Sequence, residues 1–259
     1  RDGNLNAEHW RETIIRRRRD IYWKKRIHEN VFVEDQNKFI GVKVKEFAIL
    51  HKITEEHARA SEERNWKYLI EEFRKDGEST DPRTIGYIGR MLIGIGQYAQ
   101  AIKFLEVLVR KSGWDEDKYF AYIQMSQCHQ NLGNLDVAIA CCNEALAIRT
   151  DWPDAYLRLG ELYIHKKEYT KAIDWIQIGC KKSKPDTMIV LDATVYGYRA
   201  DVNLAIAYFH IGDFERAWDS FCKAKSKAPN NEFVVSNEKL FREGFENDKY
   251  FKNMAWIVQ

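Results

Sequence analysis

The chain has 259 residues, enough for one large domain or two small ones with a buried core. Hydrophobic residues make up 45% and charged residues 31%, which is typical of a globular protein and excludes disorder along the whole chain. The 41 basic and 39 acidic side chains give a net charge of +2, so no charge excess indicates nucleic acid or an anionic membrane as a partner.

The first predicted elements are short strands, in a segment that we assign to residues 1–52. Three stretches there are rich in β-branched and aromatic residues: Ile21–Trp23, Val31–Val33 and Phe39–Leu50. Asp35–Asn37 is the predicted turn before the last of them. Because three strands alone make a poor core, we expect this segment to complete a sheet that belongs elsewhere. A chain that begins at Arg1 without a Met fits the same expectation of a fragment.

A polar, helix-forming stretch follows in residues 53–80. Thr54 is its predicted N-cap, and Gly77–Pro82 provides the stop. Its apolar residues are spaced as one stripe of a helix: Ala58, Trp66, Leu69, Ile70 and Phe73. This spacing predicts a linking helix whose stripe packs against the next segment.

Residues 81–229 contain four repeats. Each repeat has an alanine before an apolar stretch, and a small residue stands twelve positions earlier. The alanines are Ala101, Ala138, Ala172 and Ala217, and the small residues are Gly89, Ser126, Gly160 and Ala205. Five positions before the alanines come Gly96, Gly133 and Gly212, with Lys167 as the one departure. Each repeat therefore predicts a helix, a tight turn and a second helix, with the small residue where the two helices approach closely.

This pattern resembles the tetratricopeptide repeat, whose period is about 34 residues. The third repeat carries it most clearly, in Tyr156, Leu159, Gly160 and Tyr163. The resemblance implies a mainly α-helical solenoid in which neighbouring helix pairs stack into one continuous core. Residues 230–259 are then a capping helix and a tail, in which Trp256–Val258 is expected either to dock on the last repeat or to stay exposed.

The repeat geometry also implies a concave face formed by the first helix of each pair. Its expected lining residues are Arg90, Phe120, Gln127, Asn131, Leu157, Glu161, His165, Ile206 and His210. They are mixed in polarity and lack the Lys/Arg-rich clamp that would grip an acidic peptide terminus. We therefore expect this face to bind a protein or glycan acceptor, or to mediate self-association, and we disfavour an adaptor for acidic tails.

Cysteines and short motifs give little sign of chemistry within the chain. The five cysteines lack CxxC spacing, so we expect reduced, buried thiols and a cytoplasmic location. No phosphate-binding loop, nucleophile elbow or HExxH motif is present, and no apolar run reaches the ~20 residues of a membrane span. Acidic residues flank the basic run Arg16–Arg19. We interpret this run as a solvated helix face or as a contact to a phosphate-bearing substrate, and we expect no nucleic-acid partner.

Residues 183–198 form an insertion before the fourth repeat. We leave two interpretations open: a structural elaboration of the array, or an element that contacts a partner.

A second resemblance concerns Trp23, Arg26, Ile27, His28 and Glu29, which lie between strand-like runs and ahead of a repeat array. The order resembles family-2-like glycosyltransferases of the GT-A type that carry C-terminal tetratricopeptide repeats. Three further stretches share the resemblance: Asp81–Arg83, Gly113–Glu116 and Val195–Arg199.

This resemblance implies a role for the segment around His28. His28 would approach a divalent metal, Mn²⁺ or Mg²⁺, with Trp23, Arg26 and Glu29 near the diphosphate of a nucleotide sugar. The nucleotide-binding half with its DxD-type carboxylates is absent from these residues, so we expect no cofactor and no sugar transfer from this chain alone. Two functions remain open: the end of a glycosyltransferase, or a stand-alone protein-interaction module.

Overall fold

A computed structural model describes residues 7–8, 21–24, 30–33, 55–187, 189 and 191–255. Within them the fold is mainly α-helical, as the sequence predicts. The helices are α1 (Glu55–Asp76), α2 (Pro82–Gly94), α3 (Tyr98–Lys111), α4 (Asp115–Asn131), α5 (Leu135–Ile148), α6 (Asp154–His165), α7 (Tyr169–Cys180), α8 (Arg199–His210), α9 (Phe214–Lys227) and α10 (Glu232–Ala255). The strands are β1 (Ala7–Glu8), β2 (Ile21–Lys24), β3 (Asn30–Val33) and β4 (Leu191–Asp192).

The chain divides into two compact units. One holds β2, β3 and α1–α3, and the other holds β1, β4 and α4–α10. The division in the repeat region falls at Lys111–Ser112, between α3 and α4.

In the first unit, β2 and β3 form an antiparallel pair with Ile21 opposite Val33 and Lys24 opposite Asn30. Two of the predicted strands are thus present and pair with each other. The predicted turn at Asp35–Asn37 and the strand at Phe39–Leu50 lie outside the described residues, as do Arg16–Arg19 and Trp256–Val258. That the strands complete a GT-A sheet stays a prediction.

The linking helix α1 packs against α2 and α3 in the same unit, as its stripe indicates. Leu69 is buried, and the Phe73 ring meets the Phe104 ring edge-on, with 5.2 Å between centroids. The next helix begins at Pro82, and the Asp81 carboxylate accepts hydrogen bonds from the first backbone N–H groups of α2. Helix α1 begins at Glu55, and the proposed cap Thr54 lies outside the described residues.

In the second unit, the helices form the pairs α4–α5, α6–α7 and α8–α9, followed by α10. Close approach within a pair depends on the small residues that the sequence singles out. A Cβ on Gly160 would lie 2.2 Å from Ile176 Cγ1, a distance at which atoms overlap. Ser126 and Ala205, at the same repeat position, are fully buried. The last pair and α10 share one core that includes Tyr208, Phe221, Val234 and Phe241.

The turns between paired helices adopt the left-handed backbone conformation. Gly96, Gly133 and Gly212 have φ of 76°, 80° and 79°. Lys167, the residue that departs from the glycine pattern, has φ of 61°. The chain therefore keeps the turn geometry at the third repeat although the side chain there is unfavourable.

The cysteines differ in part from the expectation of buried thiols. Cys128, Cys141 and Cys142 are buried, but Cys180 and Cys222 are exposed, because these two lie on helix faces turned away from the core. None of the five forms a disulfide bond. Burial raises the pKa of the Cys128 thiol to about 11 and that of Cys142 to about 12, so these two groups are unreactive hydrophobes at neutral pH.

Candidate functional site

The first helices of the second unit, α4, α6 and α8, contact one another through polar side chains. Arg158 on α6 reaches Ser126 and Gln130 on α4, and Glu161 on α6 reaches Asn203 on α8. We call the surface that these helices share the first-helix face. It consists of Ser126, Gln127, Gln130, Asn131, Arg158, Glu161, His165, Asn203, Ile206 and His210.

Arg158 lies at the centre of the first-helix face and is only 13% exposed. Its Nη1 donates to Glu161 Oε2 at 2.9 Å and its Nε donates to Ser126 Oγ at 3.4 Å. Its Nη2 donates to Gln130 Oε1. A guanidinium held in this way by neighbours on two helices has its charge and its orientation fixed before any ligand arrives.

Glu161, 18% exposed, is the anionic partner in the same network. Its other oxygen, Oε1, accepts from Asn203 Nδ2 at 3.3 Å and lies 4.0 Å from Arg199 Nε. Arg199 in turn donates to Asp192 at 2.8 Å. Each charged group in this chain of contacts therefore has an oppositely charged neighbour, and together they leave the face without net charge.

Four residues expected on the concave face are exposed on the second unit: Gln127, Asn131, His165 and His210. Asn131 Nδ2 donates to the Gln127 backbone carbonyl at 2.8 Å, and the His210 ring stacks on Tyr169 with centroids 4.4 Å apart. Ile206 is half-buried against the core of the last repeats.

Two other expected residues of this unit have packing roles. Phe120 is half-buried and packs against Trp152 and Tyr119. Leu157, which the sequence places on the concave face, is only 8% exposed. Gly179 on α7 has no side chain, and Leu157 fills that space so closely that an added Cβ would lie 2.8 Å from Leu157 Cδ2.

Arg90, the remaining expected residue, belongs to the first unit and is exposed, with its guanidinium 5.2 Å from the Tyr87 ring centroid. Sequence reasoning missed the central Arg158 and its partners Gln130 and Asn203. The spacing of Arg158 and Glu161, three apart on a predicted first helix, is the signal that points to them.

The residues that the glycosyltransferase resemblance assigns to a metal and a diphosphate are mostly beyond the described part of the chain. Trp23 lies in β2 opposite Val31. Arg26, His28 and Glu29 lie outside the described residues. Across the residues that the structure does describe, His, Cys, Asp and Glu form no group of three or more placed to hold a metal ion.

The insertion of residues 183–198 is fastened to the repeats at two distant points. Thr187 donates to Glu116 at the start of α4 at 2.5 Å. Tyr196 donates to both oxygens of Asp154, the first residue of α6, at 2.6 and 2.7 Å. Strand β4 within the insertion pairs antiparallel with β1, with Leu191 opposite Glu8. These contacts support the interpretation of the insertion as a structural elaboration.

A cavity of about 510 Å³ lies beside the insertion. Its lining includes Arg149, whose guanidinium stacks on Trp152 at 4.2 Å and binds Asp151 through two hydrogen bonds of 2.7 and 3.1 Å. The hydrogen bond to Arg149 lowers the pKa of Asp151. The acids Glu116 and Asp151 pair with Arg149, and the same lining also holds Lys181, Lys182, Lys184 and Asp186.

Part of the chain matches a known repeat family. Residues 125–186 match the tetratricopeptide repeat family. No curated protein matches the sequence. In the part of the chain that the structure describes, no helix combines the length and the apolar character needed to cross a bilayer.

Several solved structures have a similar fold, and two of those described next are tetratricopeptide proteins. The Cut9–Hcn1 hetero-tetramer of APC/C aligns with a TM-score of 0.59 and 16% identity, over 72% of this chain and 34% of that one, so this chain spans about a third of its length. A thermophilic tetratricopeptide protein of Thermus thermophilus aligns with a TM-score of 0.53 and 16% identity, over 73% and 92% of the two chains. YrrB, described as a tetratricopeptide protein with an unusual peptide-binding site, aligns with a TM-score of 0.50 and 12% identity, over 71% and 86%.

At these identities the likeness establishes the fold, and it confirms the mainly helical, repeat-built architecture that the sequence predicts. It gives no support to the glycosyltransferase resemblance. The chain therefore has a tetratricopeptide-like helical solenoid fold, and residues 125–186 are the segment in which the tetratricopeptide repeat itself is recognised.

Proposed function

We propose that the chain is a protein-interaction module that binds a polypeptide on the first-helix face. The observation that carries the proposal is the Arg158–Glu161 network, which joins three first helices and orders their shared surface. Around it, Gln127 and His165 remain exposed. A surface that is already ordered loses little conformational entropy on binding, which favours recognition of a ligand.

The fold supports the same proposal. Repeat arrays offer extended surfaces formed by side chains from successive repeats, and such surfaces suit a chain that runs along several repeats. The structurally similar YrrB is described as having a peptide-binding site. A protein partner for this chain is proposed on these grounds.

The test uses the 259-residue chain as bait for a library of random twelve-residue peptides, followed by fluorescence anisotropy on selected peptides. Gln127→Glu introduces a charge on the first-helix face and is expected to weaken binding at least fivefold. Asn143→Glu makes a similar change at an exposed position of the second helix α5 and is expected to leave binding unchanged. Selected peptides whose affinity responds equally to both variants, or a library that yields no binder, would contradict the proposal.

A second proposal, that the chain is the C-terminal part of a glycosyltransferase, rests on the sequence resemblance around His28 and in Gly113–Glu116 and Val195–Arg199. Two of these stretches help to hold the insertion, since Glu116 accepts a hydrogen bond from Thr187 and Tyr196 donates one to Asp154. Under this proposal the metal near His28 and the nucleotide sugar would require a further domain.

The residues encoded upstream of Arg1 test the glycosyltransferase origin directly. A strand-rich stretch with an Asp-x-Asp motif would support it, and a start codon at or near Arg1 would refute it. Calorimetry of the isolated 259 residues with a nucleotide sugar and Mn²⁺ is expected to show no binding.

A further inference from the structure

We propose that the first-helix face selects an uncharged polypeptide segment, and that the Arg158–Glu161 pair sets this selectivity. The inference rests on the proposed function and names the chemistry of the partner. It also gives Arg158 and Glu161, which are partly buried, a role in ligand specificity in addition to their role in packing.

The charges at the first-helix face are paired with one another. Arg158 and Glu161 are 13% and 18% exposed, and each has the other within 2.9 Å. Arg199, whose Nε lies 4.0 Å from Glu161 Oε1 beside the face, is balanced by Asp192 at 2.8 Å. A ligand carboxylate or ammonium placed over this network loses water and gains no unbalanced partner, so the charge costs binding free energy.

Two side-chain amides of the face keep hydrogen-bonding groups available to a ligand. Gln130 uses its Oε1 for Arg158, and Asn203 uses its Nδ2 for Glu161. Among the described residues, no hydrogen bond engages Gln130 Nε2 or Asn203 Oδ1. The Arg158–Glu161 network therefore orients an amide donor on Gln130 and an amide acceptor on Asn203, which are the complements of a peptide carbonyl and a peptide N–H.

The face also offers an aliphatic side chain. Ile206 on α8 is half-buried and lies one helical turn beyond Asn203. A neutral side chain of the ligand covers such a surface without desolvation of a charge. Amide groups beside an aliphatic side chain thus match a segment of uncharged residues.

The closing experiment is a charge scan on a peptide whose binding depends on Gln127. Glutamate or lysine introduced singly at its central positions is expected to weaken binding to the wild-type chain by about tenfold. Glu161→Gln leaves Arg158 without its counter-charge, so the glutamate peptides should recover several-fold while the lysine peptides weaken further. Arg158→Gln should do the opposite.

The two variants Glu161→Gln and Arg158→Gln distinguish a change in selectivity from a loss of folding, because a variant that merely loosens the fold would weaken both peptide series alike. Circular dichroism of each variant at the assay temperature serves as the folding control. A consensus rich in acidic or basic residues among Gln127-dependent peptides would overturn the inference and leave the proposed function standing. Equal effects of Glu161→Gln on the two peptide series would also overturn it, whereas the absence of any Gln127-dependent peptide would remove the proposed function itself.

Discussion

The Tyr196 hydroxyl donates to both carboxylate oxygens of Asp154, at 2.6 and 2.7 Å, and so ties the insertion to the first residue of α6. Asp154 is only 8% exposed. Its burial raises its pKa from 3.8 to about 6, although the hydrogen bond from Tyr196 acts in the opposite direction. Nearby Asp192 adds to the increase, because two negative charges repel.

This carboxyl group makes stability depend on pH in a defined direction. The folded state binds the proton more tightly than the unfolded state, so the group contributes stability below about pH 4 that is lost as pH rises through about 6. The loss is on the order of 3 kcal/mol. Asp154→Asn is expected to remove this contribution to the pH dependence and to be more stable than the wild type at pH 7.5.

Urea unfolding of both proteins between pH 4.5 and 7.5 measures the effect. The difference between the two free energies of unfolding isolates Asp154, because carboxylates with a lowered pKa, such as Glu168 and Glu238, contribute equally to both proteins. A difference that stays constant over this range would show that Asp154 titrates normally.

Lys167 is expected to be a site of stabilisation. Its φ of 61° places a Cβ in the left-handed region, which costs a non-glycine residue about 1–2 kcal/mol. Its side chain is exposed, so little packing is lost when it is removed. Lys167→Gly should raise the free energy of unfolding by about 1 kcal/mol.

The matched control for Lys167 is Gly133→Ala, at the same turn position of the preceding repeat. With φ of 80° and open space around the Cβ, this change adds only backbone strain, and it should destabilise by about 1 kcal/mol. Chemical denaturation followed by circular dichroism reports both, and a destabilised Lys167→Gly protein would be the opposite result.

Gly160→Ala is expected to destabilise the second unit strongly. The new Cβ would lie 2.2 Å from Ile176 Cγ1 and 3.3 Å from the Ala172 carbonyl, so α6 and α7 must separate. Overpacking of this kind costs roughly 1–3 kcal/mol. Gly94→Ala provides a contrast: Gly94 ends α2 with open space around it, so this substitution should be neutral or stabilising. Thermal unfolding of both variants checks the difference in sign.

The Arg158–Glu161 pair should show energetic coupling. Arg158→Met leaves Glu161, 18% exposed, without its nearest cation, and is expected to cost roughly 1–3 kcal/mol. In the double variant Arg158→Met, Glu161→Leu, no isolated charge remains, so part of this loss should be recovered. A double-mutant cycle in urea measures the coupling, and strictly additive single effects would contradict it.

The repeat architecture was predictable because its determinants are local. A small residue where two helices touch and a glycine in a left-handed turn recur at fixed distances from an alanine, as Gly160, Gly212 and Ala217 illustrate. These requirements act within one helix pair, so a single chain segment shows them.

The first-helix face was predictable only in outline, because its contacts join residues from different repeats. The positions of Gln127 and His165 follow from helical spacing, and both residues are exposed. Arg158 bonds to Gln130, 28 positions away, and no local pattern specifies that partner. Leu157 is buried against Gly179 on another helix, where the missing side chain leaves room for it, and no local pattern specifies that contact.

The pairing of β1 with β4 has a consequence for the order of folding. Glu8 lies opposite Leu191, so about seven tenths of the polypeptide is enclosed between two strands of two residues each. Closing so long a loop costs entropy that such a short ladder repays only when both ends are already held in place. Helix pairs with short connections can form rapidly and independently, whereas β1 and β4 can pair only after the residues around Leu191 are ordered.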